Sequence, residues 1–186
     1  RVADISFNFA VFTNLTPEHL DYHPSMEAYY QAKSRLFKML TIDGVAIINS
    51  SDLNGERIAK ETIATALFFS RENGDTIHFS NADSTLKGIK GTIKAGDLGY
   101  NINSSLIGDF NKENILASVS VLHAIGLDSK AISDGINSCI SIPGRLEIFE
   151  LKNGAKVVMD YAHTPDAYEK VLGTLKDLIN KDNKIY

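Results

Sequence analysis

Residues 26–49 read MEAYYQAKSRLFKMLTIDGVAIIN, and a change of period inside them sets the fold class. Tyr29, Ala32, Leu36, Phe37 and Leu40 fall at i, i+3, i+7, i+8 and i+11, one face of a helix. The pattern predicts a helix that begins at Met26 and stops near Asp43-Gly44. Residues 45–49 (VAIIN) then form a short continuous apolar run, the signature of a strand covered on both faces. A helix followed at once by such a strand is a unit of α/β layering.

The same alternation extends in both directions. Residues 5–14 (ISFNFAVFTN) predict a buried strand, and residues 15–24 a polar loop. Asn54 suits the cap of a helix running to about Ala66, followed by short strands at 67–70 and 76–80. Together these predict an α/β fold with a mostly parallel sheet flanked by helices. The stretch 87–106 carries Gly88, Gly91, Gly96 and Gly99, and predicts antiparallel hairpin strands at one sheet edge. A helix at about 112–124 follows, ended by Gly126, and then a second one capped by Asp128 or Ser129. Residues 142–145 read as a turn, 146–151 and 156–161 as strands, and Thr164-Pro165-Asp166 as the start of an amphipathic helix. Lys184-Ile185-Tyr186 resembles the beginning of another strand. There are no internal repeats.

Composition narrows the function classes. A formal net charge of −4 over 186 residues disfavours broad binding to nucleic acid or anionic membranes. No apolar run approaches the roughly 20 residues of a membrane span. One cysteine, Cys139, excludes an internal disulfide, and no signal peptide opens the sequence. The first residue is not Met, so the chain is expected to begin inside a longer, cytoplasmic protein.

Four places combine residues capable of chemistry. Lys33 is i+4 from Tyr29 and i−4 from Phe37, so a cation projects from an apolar stripe. It either snorkels to solvent or sits desolvated, with a neutral amine able to add CO2 as a carbamate. Such an oxygen donor suits Mg2+, and His19 in Glu18-His19-Leu20-Asp21 would offer an imidazole. Asn111 and Asn114 sit at a helix start, either capping it or offering amides to an adenine edge. Arg145 in Pro143-Gly144-Arg145 suits phosphate. Asp160 and His163, in DYAHTPDA, lie at a strand-to-helix junction, where ligands gather in open α/β sheets.

Taken together, FTNLTPEHLDYHPSMEAYYQAKSRLF, GDFNKENILAS, IPGRLE and DYAHTPDA resemble the Mur ligases of peptidoglycan synthesis over essentially the whole chain. HLDYH and DYAHTPDA match the branch that makes UDP-N-acetylmuramoyl-tripeptide, the MurE-type synthetases. The resemblance implies a P-loop NTPase-like central domain that uses ATP and Mg2+ to activate a carboxylate as an acyl phosphate. An amine then attacks to form the amide. It further implies that Lys33 is carbamylated and shares a metal with His19. Asn111, Asn114, Arg145, Asp160 and His163 would face the nucleotide. Arg1, Thr13 and Asn14 would face UDP-MurNAc-dipeptide, which accepts an amino acid.

No G-x-x-G-K-[ST] phosphate loop occurs in the sequence, and the family's acidic metal ligand would precede Arg1. The expectation is therefore a central domain over residues 1–180 without its P-loop part, with residues 181–186 opening a C-terminal domain. Such a chain is expected to be a monomer and inactive alone. Pentapeptide-forming, folylpolyglutamate and cyanophycin ligases, or a non-catalytic binding module, are the alternative readings.

Overall fold

The computed structural model describes residues 5–18, 20–72, 74, 76–179 and 185, with Asp166 described by its backbone alone. Its elements are β1 (Phe7–Phe12), α1 (Met26–Lys38), β2 (Leu40–Asn49), α2 (Leu53–Glu61), β3 (Thr65–Ser70), β4 (Ile77–Thr85), β5 (Gly88–Ala95) and β6 (Leu98–Ser104). They continue with α3 (Asp109–Ile125), α4 (Ser129–Ser138), β7 (Glu147–Glu150), β8 (Lys156–Met159) and α5 (Pro165–Leu178).

The fold is α/β. A six-stranded sheet has the order β1-β2-β3-β4-β5-β6, with β1 to β4 parallel and β4-β5-β6 antiparallel. The antiparallel edge lies where the glycine-rich stretch places it. β7 and β8 form a separate antiparallel pair.

The run VAIIN is buried on both faces, with Ala46, Ile47 and Ile48 all at 0% exposure. Strand alternation sends Ala46 and Ile48 toward Tyr30, Phe37 and Ile58 of α1 and α2. Ile47 points the other way, to Leu116 and Val119 of α3 and Ile132 of α4. Two helical layers thus close over one sheet, as binary patterning requires.

Several boundaries differ from the sequence reading, each for a local reason. Helix α1 ends at Lys38, with Met39 as its cap. Leu40 keeps the helical period, yet it opens β2 by pairing with Phe7 and is buried there. Ala32, expected on the apolar face, is exposed, and Tyr29, Tyr30, Ser34 and Phe37 form the buried face. Asp52, not Asn54, caps α2, accepting from the Asn54 N–H. That helix ends at Glu61 because Thr62 turns extended, and β3 already begins at Thr65. Helix α3 starts at Asp109, after Gly108 at φ +91°. Asn111 is therefore inside the first turn and is not a cap. Gly126, at φ +83°, ends α3 in the left-handed conformation expected of it.

Candidate functional site

The carboxyl end of β2 meets the loop that follows β1. Three consecutive residues there are held by side chains from other elements. Asn49, the last residue of β2, donates from Nδ2 to the Thr13 carbonyl at 2.8 Å. Lys33 Nζ donates to the Asn14 carbonyl at 3.0 Å, and Asp52 Oδ2 accepts from the Leu15 N–H at 2.7 Å.

Lys33 is half-buried, between the buried Tyr29 and Phe37 on α1. Its ammonium also lies 4.9 Å from the centre of the Tyr29 ring. His23 stacks on that ring at 5.0 Å and 17°. The lysine that sequence spacing marks as unusual therefore aims its amine at the end of β1 rather than at solvent. Its expected metal partner, His19, lies outside the described residues, as do Arg1 and the 181–186 boundary except for Ile185. Among the described residues, no group of His, Cys, Asp and Glu is arranged to hold a metal ion.

The second locus is the start of α3. Asn111 is 1% exposed, and its Nδ2 donates to the Ile107 carbonyl at 2.8 Å. Its Oδ1 accepts from Asn114 Nδ2 at 3.1 Å. Asn114 is exposed and carries the accessible end of this amide pair. Nearby, Arg71 follows the end of β3 and bridges Glu113 at 3.1 Å and Asp109 at 3.5 Å. Lys112 meets Asp109 at 2.9 Å. Arg71 and Lys112, with Ser51, Ser80 and Asn81, line a cleft of about 810 Å³. Sequence reasoning missed Arg71. Its signal was a cation placed just after an apolar strand.

The third locus flanks the second sheet. Leu146 is a non-glycine residue at φ +44°, yet it is buried at 4%. Two things hold this strained turn. Asp160 Oδ2 accepts from the Leu146 N–H at 2.9 Å, and the Leu146 side chain packs with Ile107 and Leu175. The other Asp160 oxygen accepts from the Ala162 N–H at 2.8 Å. Both carboxylate oxygens thus serve the protein's own backbone. Arg145 is exposed and lines a smaller cavity of about 320 Å³ with Lys87, Ser105 and Glu147. His163 lies 3.7 Å from Glu18, next to His19 in sequence. The fold therefore brings the DYAHTPDA loop to Glu18 in the loop after β1, and Leu146 to Ile107 just ahead of α3.

Comparison with known proteins gives the following. A family model described as the Mur ligase middle domain matches residues 1–122. Another, described as the Mur ligase, glutamate ligase domain, matches residues 144–186, so the expected boundary at 181 falls inside it. The chain is 39% identical over 180 residues to the UDP-N-acetylmuramoyl-L-alanyl-D-glutamate--2,6-diaminopimelate ligase of Gloeobacter violaceus. That match covers 96% of this chain and 37% of the relative, so the chain spans little more than a third of the relative's length. A solved UDP-N-acetylmuramoyl-L-alanyl-D-glutamate--2,6-diaminopimelate ligase superposes with a TM-score of 0.79 at 31% identity, over 97% of this chain and 38% of that one. MurF from Acinetobacter baumannii shares the fold, with a TM-score of 0.82 at 19% identity over 91% of this chain and 37% of that one.

Proposed function

The chain belongs to the Mur ligase family, and from that premise we propose that it is part of an ATP-dependent amide ligase. The whole ligase would add the third amino acid to UDP-MurNAc-L-Ala-D-Glu, as the names of its relatives describe for them. We put the division between middle and C-terminal parts near residue 144, a reading supported by the start of the second family match there.

In the reaction, a substrate carboxylate oxygen attacks the γ-phosphorus of ATP and ADP leaves. The amine nitrogen of the incoming amino acid then attacks the acyl phosphate carbon, a proton departs, and phosphate leaves as the amide forms. Bringing a carboxylate to a triphosphate concentrates negative charge, which fixed cations must offset. Mg2+ would supply that charge and orient the reacting oxygens. As an ammonium, Lys33 repels a divalent cation. Addition of CO2 to its neutral amine, with release of a proton, makes it an oxygen donor that suits one. His19 and carbamylated Lys33 would then hold the metal.

Thr13 and Asn14 lie beside this amine and, with Arg1, would face the UDP-MurNAc-dipeptide. Asn114 would present the amide edge to adenine, with Asn111 behind it. Arg145 would meet phosphate, while Asp160 and His163 set the junction between the two parts. The setting would be a cytoplasmic monomer.

The observation that carries this reading is the Lys33 amine held at the carboxyl end of β1, against Asn14. The test uses the complete reading frame that contains this chain. ATP, UDP-MurNAc-dipeptide and 2,6-diaminopimelate should together release ADP and phosphate and form the tripeptide, with L-lysine as the comparison amino acid. No turnover with any amino acid would favour a binding module that keeps the fold.

A further inference from the structure

The carbonyl of Asn14 and the N–H of Leu15 belong to one peptide group. Lys33 donates to the oxygen of that group at 3.0 Å, and Asp52 accepts from its nitrogen at 2.7 Å. A single peptide is therefore clamped between an ammonium and a carboxylate that do not touch each other. We infer that Asp52 is a positioning residue for Lys33, acting through the Asn14–Leu15 peptide. This rests on the proposed role of Lys33 as the reactive amine.

The chemistry favours such coupling. A carboxylate that draws on a peptide N–H shifts electron density toward the carbonyl oxygen, which then accepts more strongly from a cation. Charge-assisted bonds at both ends also fix the plane of the peptide more firmly than neutral bonds would. The carboxylate itself is held in place. Its Oδ1 accepts from the Asn54 N–H at 2.8 Å and from Asn54 Nδ2 at 3.0 Å, at the start of α2. The helix N-terminus favours a negative charge there.

Asn49 completes the clamp from below. It is 3% exposed, donates to the preceding carbonyl, Thr13, and accepts from the Ser51 N–H at 3.0 Å. Gly55 lets the first turn of α2 sit down on this junction. A Cβ at Gly55 would lie 2.5 Å from the Asn49 carbonyl oxygen, so any larger residue would push Asp52 away. The pattern Asn49, Asp52, Gly55 thus places two polar side chains on the loop after β1 by packing α2 tightly against β2.

The test reads geometry, without ATP, metal or turnover, so it stands apart from the proposed activity. Asp52→Asn keeps the shape but presents at most one acceptor. Asp52→Ser keeps a capping oxygen for Asn54 but is too short to serve Leu15 as well. Asp128→Ser, at the distant cap of α4, controls for general loosening of a helix start. In each chain the Leu15 amide is followed by ¹H–¹⁵N NMR, and acetylation of Lys33 by an amine-reactive ester is timed by mass spectrometry against exposed Lys60.

Both Asp52 variants should move the Leu15 amide upfield and raise Lys33 acetylation several-fold relative to Lys60, while Asp128→Ser leaves both readings at wild-type values. An unchanged Lys33 rate in the Asp52 variants, or an equal rise in Asp128→Ser, overturns the inference. Coupling seen here, with no Lys33 carbamate in the complete reading frame given bicarbonate, ATP, Mg2+ and UDP-MurNAc-dipeptide, would sink the proposed role of Lys33 and leave the positioning intact.

Discussion

Lys33 Nζ donates to the Asn14 carbonyl oxygen across 3.0 Å, joining the middle of α1 to the loop that ends β1. The same amine sits over the Tyr29 ring at 4.9 Å. The ring contact favours a cation and must yield when CO2 adds, whereas the one N–H left on a carbamate nitrogen can still donate to Asn14. Lys33→Ala in the complete reading frame should therefore lower kcat by about 10²-fold or more, the scale of losing an electrostatic stabiliser of the transition state. Added formate or acetate should restore part of the rate, because a small carboxylate can stand where the carbamate oxygens were. Steady-state assays with and without carboxylate decide this. Lys33→Ala at wild-type rate would remove Lys33 from the chemistry.

Asn111 and Asn114 share a hydrogen bond, but their burial assigns them different consequences. Asn111→Ala leaves the Ile107 carbonyl without its 2.8 Å donor in a buried position. The cost should be about 1–3 kcal/mol in urea unfolding, the penalty for an unsatisfied buried group. Asn114 is exposed but donates to Asn111 Oδ1 at 3.1 Å, so Asn114→Ala should cost less, about 0.5–1 kcal/mol. If Asn114 meets adenine, the same change should raise KM for ATP. Equal stability losses in the two variants would contradict this division.

The centre of the sheet gives a plainer expectation. Ile47 is fully buried between β2 and the layer of α3 and α4, whereas Ile42 at the start of the same strand is 69% exposed. Ile47→Ala should cost about 2–5 kcal/mol by denaturant unfolding. Ile42→Ala should stay within about 0.5 kcal/mol.

Acid should loosen the contact between α1 and α2. Hydrogen bonds from Arg57, at 2.6 and 2.7 Å, and then from Gln31 hold the Glu27 carboxyl down at about 2, from an ordinary 4.5. A carboxyl lowered on folding contributes stability that is present above the unfolded value, near 4.5, and lost as pH falls toward 2. Wild type should therefore lose stability over pH 4.5 to 2 more steeply than Glu27→Gln. Tyr30 behaves oppositely. Burial, with the hydrogen bond to Glu61, pushes its hydroxyl up to about 12, so it stays protonated throughout this range. Parallel acid curves for Glu27→Gln and wild type would contradict the Arg57 contact.

The sheet was legible because burial on both faces leaves a mark no polar residue interrupts, as in Ala46, Ile47 and Ile48. Glycines between residues 88 and 99 marked the antiparallel edge in the same way. Element ends were less legible. Leu40 fits the helical period and the strand equally, and only its pairing with Phe7 decides. Lys33 was visible as a cation on an apolar stripe, but its partner is a backbone carbonyl, which no side-chain pattern encodes. Asp52 was hidden for a related reason. Its second oxygen reaches Leu15, 37 residues away, and only the packing of α2 on β2 creates that contact. Leu146 gave no signal, since a leucine at positive φ is tolerated only where Asp160 and a small apolar cluster hold it.

The most direct measurement is ¹³C NMR of the complete reading frame in ¹³C-bicarbonate, with ATP, Mg2+ and UDP-MurNAc-dipeptide present. A carbamate carbon bonded to Lys33 Nζ, absent in Lys33→Arg, is the result expected. An unmodified Lys33 still donating to Asn14 under those conditions, while the enzyme turns over, would contradict the central claim.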